Sequence, residues 1–292
     1  MTVISRNLHQ KINMKEIKLT YDKWRATVVP TLGALIKELT FDGADVYVSA
    51  NDYPKHNGSP LLIGSPLLLP SNRTANGKFV FEGTEYTLPV TEQRSGANLH
   101  GSLYKQEFSV VTQSQTKVTM RYKNVGEAYP FPFEITVCYS LSDQGFCQEY
   151  VLKNTGERVM PYTFGLHTTF SAPKTFSVTL KQCQERDEQN LSTGRYIPLS
   201  EEQRQYVSGT ETKGKAISGY FSSGGNTATV GDYSFSVSEN FDHWVLYNAK
   251  GERDILCVEP QCGAVDGLNS KDGYRTLKPD ETALFFTNIK RA

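Results

Sequence analysis

The chain has 292 residues, with 31 Lys and Arg balancing 31 Asp and Glu, so its formal net charge is zero. That balance leaves no electrostatic footprint for nucleic acid or an anionic membrane, and a hydrophobic content of 38% is enough to build a core, which excludes wholesale disorder. The cysteines, Cys138, Cys147, Cys183, Cys257 and Cys262, are odd in number and scattered. They fit reduced thiols in a cytoplasmic protein better than a disulfide framework.

From the N-terminus, residues 1–20 carry no uninterrupted apolar run, so no signal peptide is expected. The most apolar neighbourhood, Leu61 to Pro70, is interrupted by Gly64 and Pro66. It falls well short of the roughly 20 apolar residues a membrane-spanning helix needs. Period-two patterns then take over. The segment 106–123 holds two strand-like runs, the second alternating around Val118, Met120 and Tyr122. Similar runs follow at 132–141, 146–152, 176–180, 233–237, 243–248, 254–258 and 282–289, rich in the β-branched and aromatic residues that suit a pleated surface. Turn chemistry separates them, as in Ser142-Asp143-Gln144-Gly145 and Asn154-Thr155-Gly156. The best helical candidate is 200–206, opened by Ser200 as N-cap with acids in its first turn. The Gly- and Ser-rich stretch 208–226 reads as a surface loop, and Pro260 as the point where its strand stops or turns. Strands at regular spacing with few helices predict an all-β fold, a large antiparallel β-sandwich forming a single domain over 1–292.

Phosphate-loop, dinucleotide, HExxH, paired CxxC, EF-hand and GxSxG signatures are all missing. Cys257 and Cys262 have no second ligand pair, so two small buried or partly buried thiols are expected and no metal.

The informative positions are polar residues inside apolar strand patterns. Along Pro161–Phe170, alternation puts Phe164, Leu166, Thr168 and Phe170 on one face and Thr163, Gly165, His167 and Thr169 on the other. His167 therefore has small neighbours, which suggests room beside the imidazole; a core histidine usually has bulky ones. Along 254–261, Glu259 shares a face with Ile255, Cys257 and Gln261, a costly place for a carboxylate without a partner or ligand. A solvated acid on an edge strand is the alternative. Asn98-Leu99-His100-Gly101 is weaker, since a turn with a surface histidine would look the same. In 242–247, Asp242 alternates onto the face of Trp244, the acid-plus-aromatic pairing that carbohydrate sites use, although Asp242 could cap a turn and Trp244 could be core.

Taken in order, these segments resemble the aldose 1-epimerase (mutarotase) family. The matching strings are Ser71-Asn72-Arg73 with Asn76-Gly77-Lys78-Phe79, then Asn98-Leu99-His100-Gly101 and Phe164 to Phe170. Phe241-Asp242-His243, Cys257-Val258-Glu259-Pro260-Gln261 and Asp266-Gly267-Leu268-Asn269 follow, and Lys278 to Thr282 looks like the family's closing turn with Asp280 in place of Gly. The Glu259-Pro260-Gln261 string, where the galactose branch has Glu-Thr-Gln, and Gly101-Ser102, where it often has Gly-Gly, point to a Glu-Pro subgroup.

The resemblance implies a supersandwich with the sugar in an open cleft and cofactor-free interconversion of the α and β anomers of a hexose. It implies Glu259 as catalytic base, His167 as catalytic acid, and Arg73, His100 and Asp242 as sugar-binding groups. The expected partner is a small free sugar, such as glucose or galactose, handled by a monomer or homodimer without nucleic acid or membrane. Two alternatives remain. A non-catalytic sugar-binding protein would need no acid–base pair. A hexose-6-phosphate 1-epimerase should converge several Arg or Lys on the phosphate, with Arg73 and Arg94 as candidates; zero net charge favours the free sugar.

Overall fold

A computed structural model describes residues 15–50, 60–270 and 273–292, and the fold over them is almost entirely β. A small antiparallel sheet is built from Ile17–Tyr21, Trp24–Val29, Leu35–Phe41 and Ala44–Asp45. The large sheet has 15 strands. Its path begins with the meander Ser109–Gln113, Lys117–Asn124, Phe133–Ser142 and Gly145–Asn154. The last strand of the chain, Thr282–Arg291, then lies between Gly145–Asn154 and Tyr233–Val237. The path continues through Ser218–Val230, His243–Tyr247 and Ile255–Cys262 to Phe164–Leu166 and the short Leu67–Leu68. The large antiparallel β-sandwich read from the sequence is the fold observed.

Alternation explains the packing. In Phe133–Ser142 the inward positions Phe133, Ile135, Val137, Tyr139 and Leu141 are buried, with Glu134, Thr136 and Ser140 less so. One continuous cluster of buried apolar side chains runs from Ile17 to Ile289. It joins the two sheets through contacts such as Trp24 against Tyr233 and Tyr47 against both Phe146 and Phe170. The expected helix is present as Glu201–Ser208, closed by a full capping box between Ser200 and Gln203. The expected turn at 142–145 joins its two strands with Ser142 paired to Gly145.

Two expectations are corrected. The stretch 208–226 is not a surface loop: it contains Thr210–Glu211 and enters the 13-residue strand Ser218–Val230. Gly224 within it is a packing requirement rather than a loop signal. A Cβ on Gly224 would meet the Leu180 carbonyl oxygen at 2.9 Å, where Ser218–Val230 pairs antiparallel with Thr175–Arg186 through register shifts. Nor does the strand stop at Pro260; Ile255–Cys262 continues past it, paired Trp244 to Pro260 on one side. On its other side the neighbouring strand is interrupted between Phe164–Leu166 and Thr169–Ser171. The proline sits beside that gap, where its missing N–H costs no ladder bond.

Candidate active site

That interruption creates the site. Gly165 pairs with Gln261 and Thr169 with Cys257, so the register places His167 opposite Glu259. On the far side of Glu259, Val245 is its direct partner and Tyr220 is the partner of Val245. Tyr220, Val245, Glu259 and His167 therefore form one row across the strands on a single face of the sheet, and all line an open cavity of about 360 Å³. His167 does not continue the ladder; its N–H donates to the Pro66 carbonyl at 2.9 Å. Its Nε2 lies 3.4 Å from Glu259 Oε1, and both residues are buried.

A second group arrives from a separate two-stranded sheet, Arg73–Thr74 with Asn98–Leu99. Arg73 pairs with Leu99 and Thr74 with Asn98, and the His100 N–H donates to the Asn72 carbonyl at 2.8 Å. His100 has φ 66° and Gly101 φ 60°, so the chain makes two consecutive left-handed residues here. Gly101 is obligatory, because a Cβ would lie 2.0 Å from the Leu69 carbonyl oxygen. Ser102 returns to φ −135°, which is why a side chain is tolerated at that position. The result is a T-shaped contact between His100 and His167, ring centroids 5.3 Å apart.

Arg73 is fixed bidentately by Glu92, with Nε to Oε2 at 2.7 Å and Nη2 to Oε1 at 2.8 Å, and Nη1 donates to the Tyr220 hydroxyl at 2.6 Å. Glu92 and Tyr220 escaped the sequence reading. Tyr220 was hidden by the Gly/Ser composition around it, and Glu92 carries no local pattern, because its role is to aim a residue distant in the chain. The space beside His167 is the cavity itself, whereas at Gly165 a Cβ would meet Gln261 Cγ at 2.9 Å, so Gln261 packs there. The Gln261 amide in turn donates to Glu259 Oε2 at 3.1 Å.

Asp242 is not brought into this cavity. Its carboxylate accepts from the Gly263 N–H at 2.9 Å, lies 2.6 Å from His243 Nδ1 and binds Arg275. It faces a different, shallow depression with Ser223 and Gly225. Trp244 is core, packed on Phe235, with its indole N–H directed to the Gly225 carbonyl.

Burial dominates the electrostatics of the pair. It pushes the Glu259 carboxyl up to about 8, against the opposing pull of the Gln261 amide and the Arg73 charge, and it pushes His167 down to about 4. His100 is held well below the usual imidazole value by burial, with the charges of His167 and Arg73 adding to it. Burial also raises the Glu92 carboxyl, but the Arg73 guanidinium and the Ser95 hydroxyl outweigh it and keep that group below the usual range. The Glu259 and His167 shifts have one cause: burial favours the uncharged form of each group. Nδ1 of both His100 and His167 is buried without a hydrogen-bond partner among the described residues. His167, Cys257 and Glu259 place donor atoms within 4.8 Å of one another, a set that could hold a cation. The two outer members of that set are the pair already described.

Comparison with known proteins bears on the fold and the family. An Escherichia coli (strain K12) protein named "Uncharacterized protein YihR" is 28% identical over 290 residues, covering 94% of this chain and 92% of that one. Among solved structures, a galactose mutarotase-like protein from Clostridium acetobutylicum superposes with a TM-score of 0.86 at 21% identity, covering 95% of each chain. The GalM/aldose epimerase homologue from C. elegans gives a TM-score of 0.79 at 18% identity, covering 95% of this chain and 98% of that one. The family model described as aldose 1-epimerase matches residues 15–290. With that match over nearly all its length, the chain belongs to the aldose 1-epimerase family and is an enzyme of the isomerase class.

Proposed function

We propose that the protein interconverts the α and β anomers of a hexose without a cofactor, with Glu259 as general base and His167 as general acid. The observation that carries this reading is the buried carboxyl–imidazole pair, 3.4 Å apart, lining an open cavity. Opening a pyranose requires removal of the proton from the anomeric hydroxyl and delivery of a proton to the ring oxygen as the C1–O5 bond breaks. In the reacting form Glu259 is ionised and His167 protonated; Glu259 takes the first proton and His167 gives the second. The C1–C2 bond then rotates, the O5 hydroxyl attacks the other carbonyl face, and both protons return. The pair holds one proton throughout, so the sum of protons on enzyme and sugar is unchanged. After ring opening that proton sits on Glu259, the distribution burial already favours. Arg73 and His100, beside the pair, supply donors to the sugar oxygens; Arg73 is held ready by Glu92. Asp242, engaged outside the cavity, has no place in this scheme. A protein that only bound sugar would gain nothing from burying an acid–base pair at a cost in desolvation.

Polarimetry of a freshly dissolved α-anomer tests the proposal. Glu259→Gln should lose about 10²–10⁴-fold in catalysed anomerisation, the usual contribution of one positioned acid or base. His167→Asn should also lose most of the rate. An undiminished rate in folded Glu259→Gln protein would remove Glu259 as the base.

A further inference from the structure

Arg94, one of the two cations named from the sequence as a candidate phosphate ligand, is exposed and does not line the cavity. Two other guanidinium groups do. Arg186, at the end of Thr175–Arg186, and Arg253, just before Ile255–Cys262, are half-buried on the wall of the cavity that His167 and Glu259 also line. Resting on the epimerase reading, we infer that the sugar taken by this cavity carries an oxyanion, bound at the rim by Arg186 and Arg253 while its C1–O5 end lies at Glu259 and His167.

Arg186 donates to Ser218 through Nη1 to Oγ at 3.0 Å and Nη2 to the carbonyl at 3.4 Å, and its guanidinium lies 5.3 Å from the centre of the Tyr220 ring. These partners are all neutral. A guanidinium has five N–H donors in a rigid fork, so such a site keeps both its charge and part of its donor set for a ligand. Arg253 lines the same cavity, as does Tyr247.

The charge balance of the lining points the same way. Three arginines, Arg73, Arg186 and Arg253, face two acids, Glu92 and Glu259. Glu92 is consumed by Arg73, and Glu259 is committed to His167. The lining thus holds one more guanidinium than carboxyl group, in a chain of zero net charge. Hydroxyls of a neutral hexose are satisfied by groups such as Asn190 and Ser218 on the same wall, and they do not require guanidinium groups there. A phosphate or carboxylate matches the planar fork. Those two anions share this chemistry, and the substrate comparison separates them.

Anomer exchange by NMR saturation transfer, run on glucose, glucose 6-phosphate and glucuronate with the full-length protein, decides the matter. At least one anionic sugar should exceed glucose about tenfold or more in kcat/KM, the value of one charge-assisted hydrogen bond. The better of the two identifies the anion. Replacing both arginines, Arg186→Gln with Arg253→Gln, should reduce the ratio of anionic to neutral kcat/KM about tenfold or more, mainly through KM. Damage to folding would lower both terms and leave the ratio unchanged. Glucose matching or surpassing both anions, or a ratio unmoved in the double variant, would overturn the inference. Should no sugar be anomerised, the epimerase reading fails on its own. Calorimetric binding of the three sugars to Glu259→Gln protein would then still test the rim: preference for an anion, lost in the arginine variants, supports it, and equal binding refutes it.

Discussion

At the scale of single residues, what matters is where one proton sits. Glu259 lies opposite His167 because a break in the neighbouring strand lets the imidazole turn into the cavity. Burial separates their acidities to about 8 and about 4 in the sense that keeps the pair singly protonated between those values. Below about 4, His167 gains a second proton and no base remains; above about 8, Glu259 loses its proton and no acid remains. The rate against pH should therefore be bell-shaped, with its acid limb near 4 and its alkaline limb near 8, as macroscopic values of the pair. Initial anomerisation rates across pH 3.5–9.5, each corrected for the buffer-catalysed background, would show it; a profile flat through pH 8 would detach the rate from Glu259. Both residues were legible in the sequence, since a polar group stranded in an apolar strand needs a reason. Their acidities were not. An unburied Glu near 4.3 and His near 6.5 would assign charge to both, whereas enclosure in the sheet reverses the preference.

At the scale of elements, the strands of the meander and the last strand follow from alternation, and the helix from its capping residues. The failures, Ser218–Val230 and the run past Pro260, share one cause. Glycine and proline report the freedom of the isolated backbone, but here each answers to a neighbour: the pairing with Thr175–Arg186 in one case and the strand gap in the other. The turn at His100 is the converse, with a glycine whose backbone demand is absolute. Gly101→Ala should destabilise the protein by about 2 kcal/mol or more, since it adds a steric clash with the Leu69 carbonyl to a left-handed conformation. Because the substitution displaces His100, KM should rise as well. Urea unfolding and steady-state kinetics on the same preparation would check both; stability within experimental scatter of the wild type would show that the turn adapts without cost.

At the scale of the whole molecule, the apolar cluster extending from Ile17 to Ile289 crosses both sheets, and we propose that the chain unfolds as one unit. Trp24, in the small sheet, contacts Phe41 of that sheet and Tyr233 of the large one. Trp24→Ala should cost about 3–5 kcal/mol, the usual range for a large buried aromatic, and should move a single calorimetric transition downwards. A variant in which one part melts early while the other keeps its midpoint would divide the chain into two units. Global charge is also deceptive at this scale. The sum over all residues is zero, yet three arginines share one cavity with two engaged acids. Net charge is a property of composition, whereas the field a ligand meets depends on which side chains the fold places together.

The sequence by itself determined the β class, the family resemblance and the two candidate catalytic residues, because alternation and ordered motifs survive without coordinates. Only the tertiary structure decided that Glu259 faces His167, that Glu92 and Tyr220 hold Arg73, that Asp242 lies outside the cavity, and that Arg186 and Arg253 lie on its wall. These are contacts between residues far apart in the chain. Strand register sets some of them and loop closure the others, and neither leaves a local trace in the sequence.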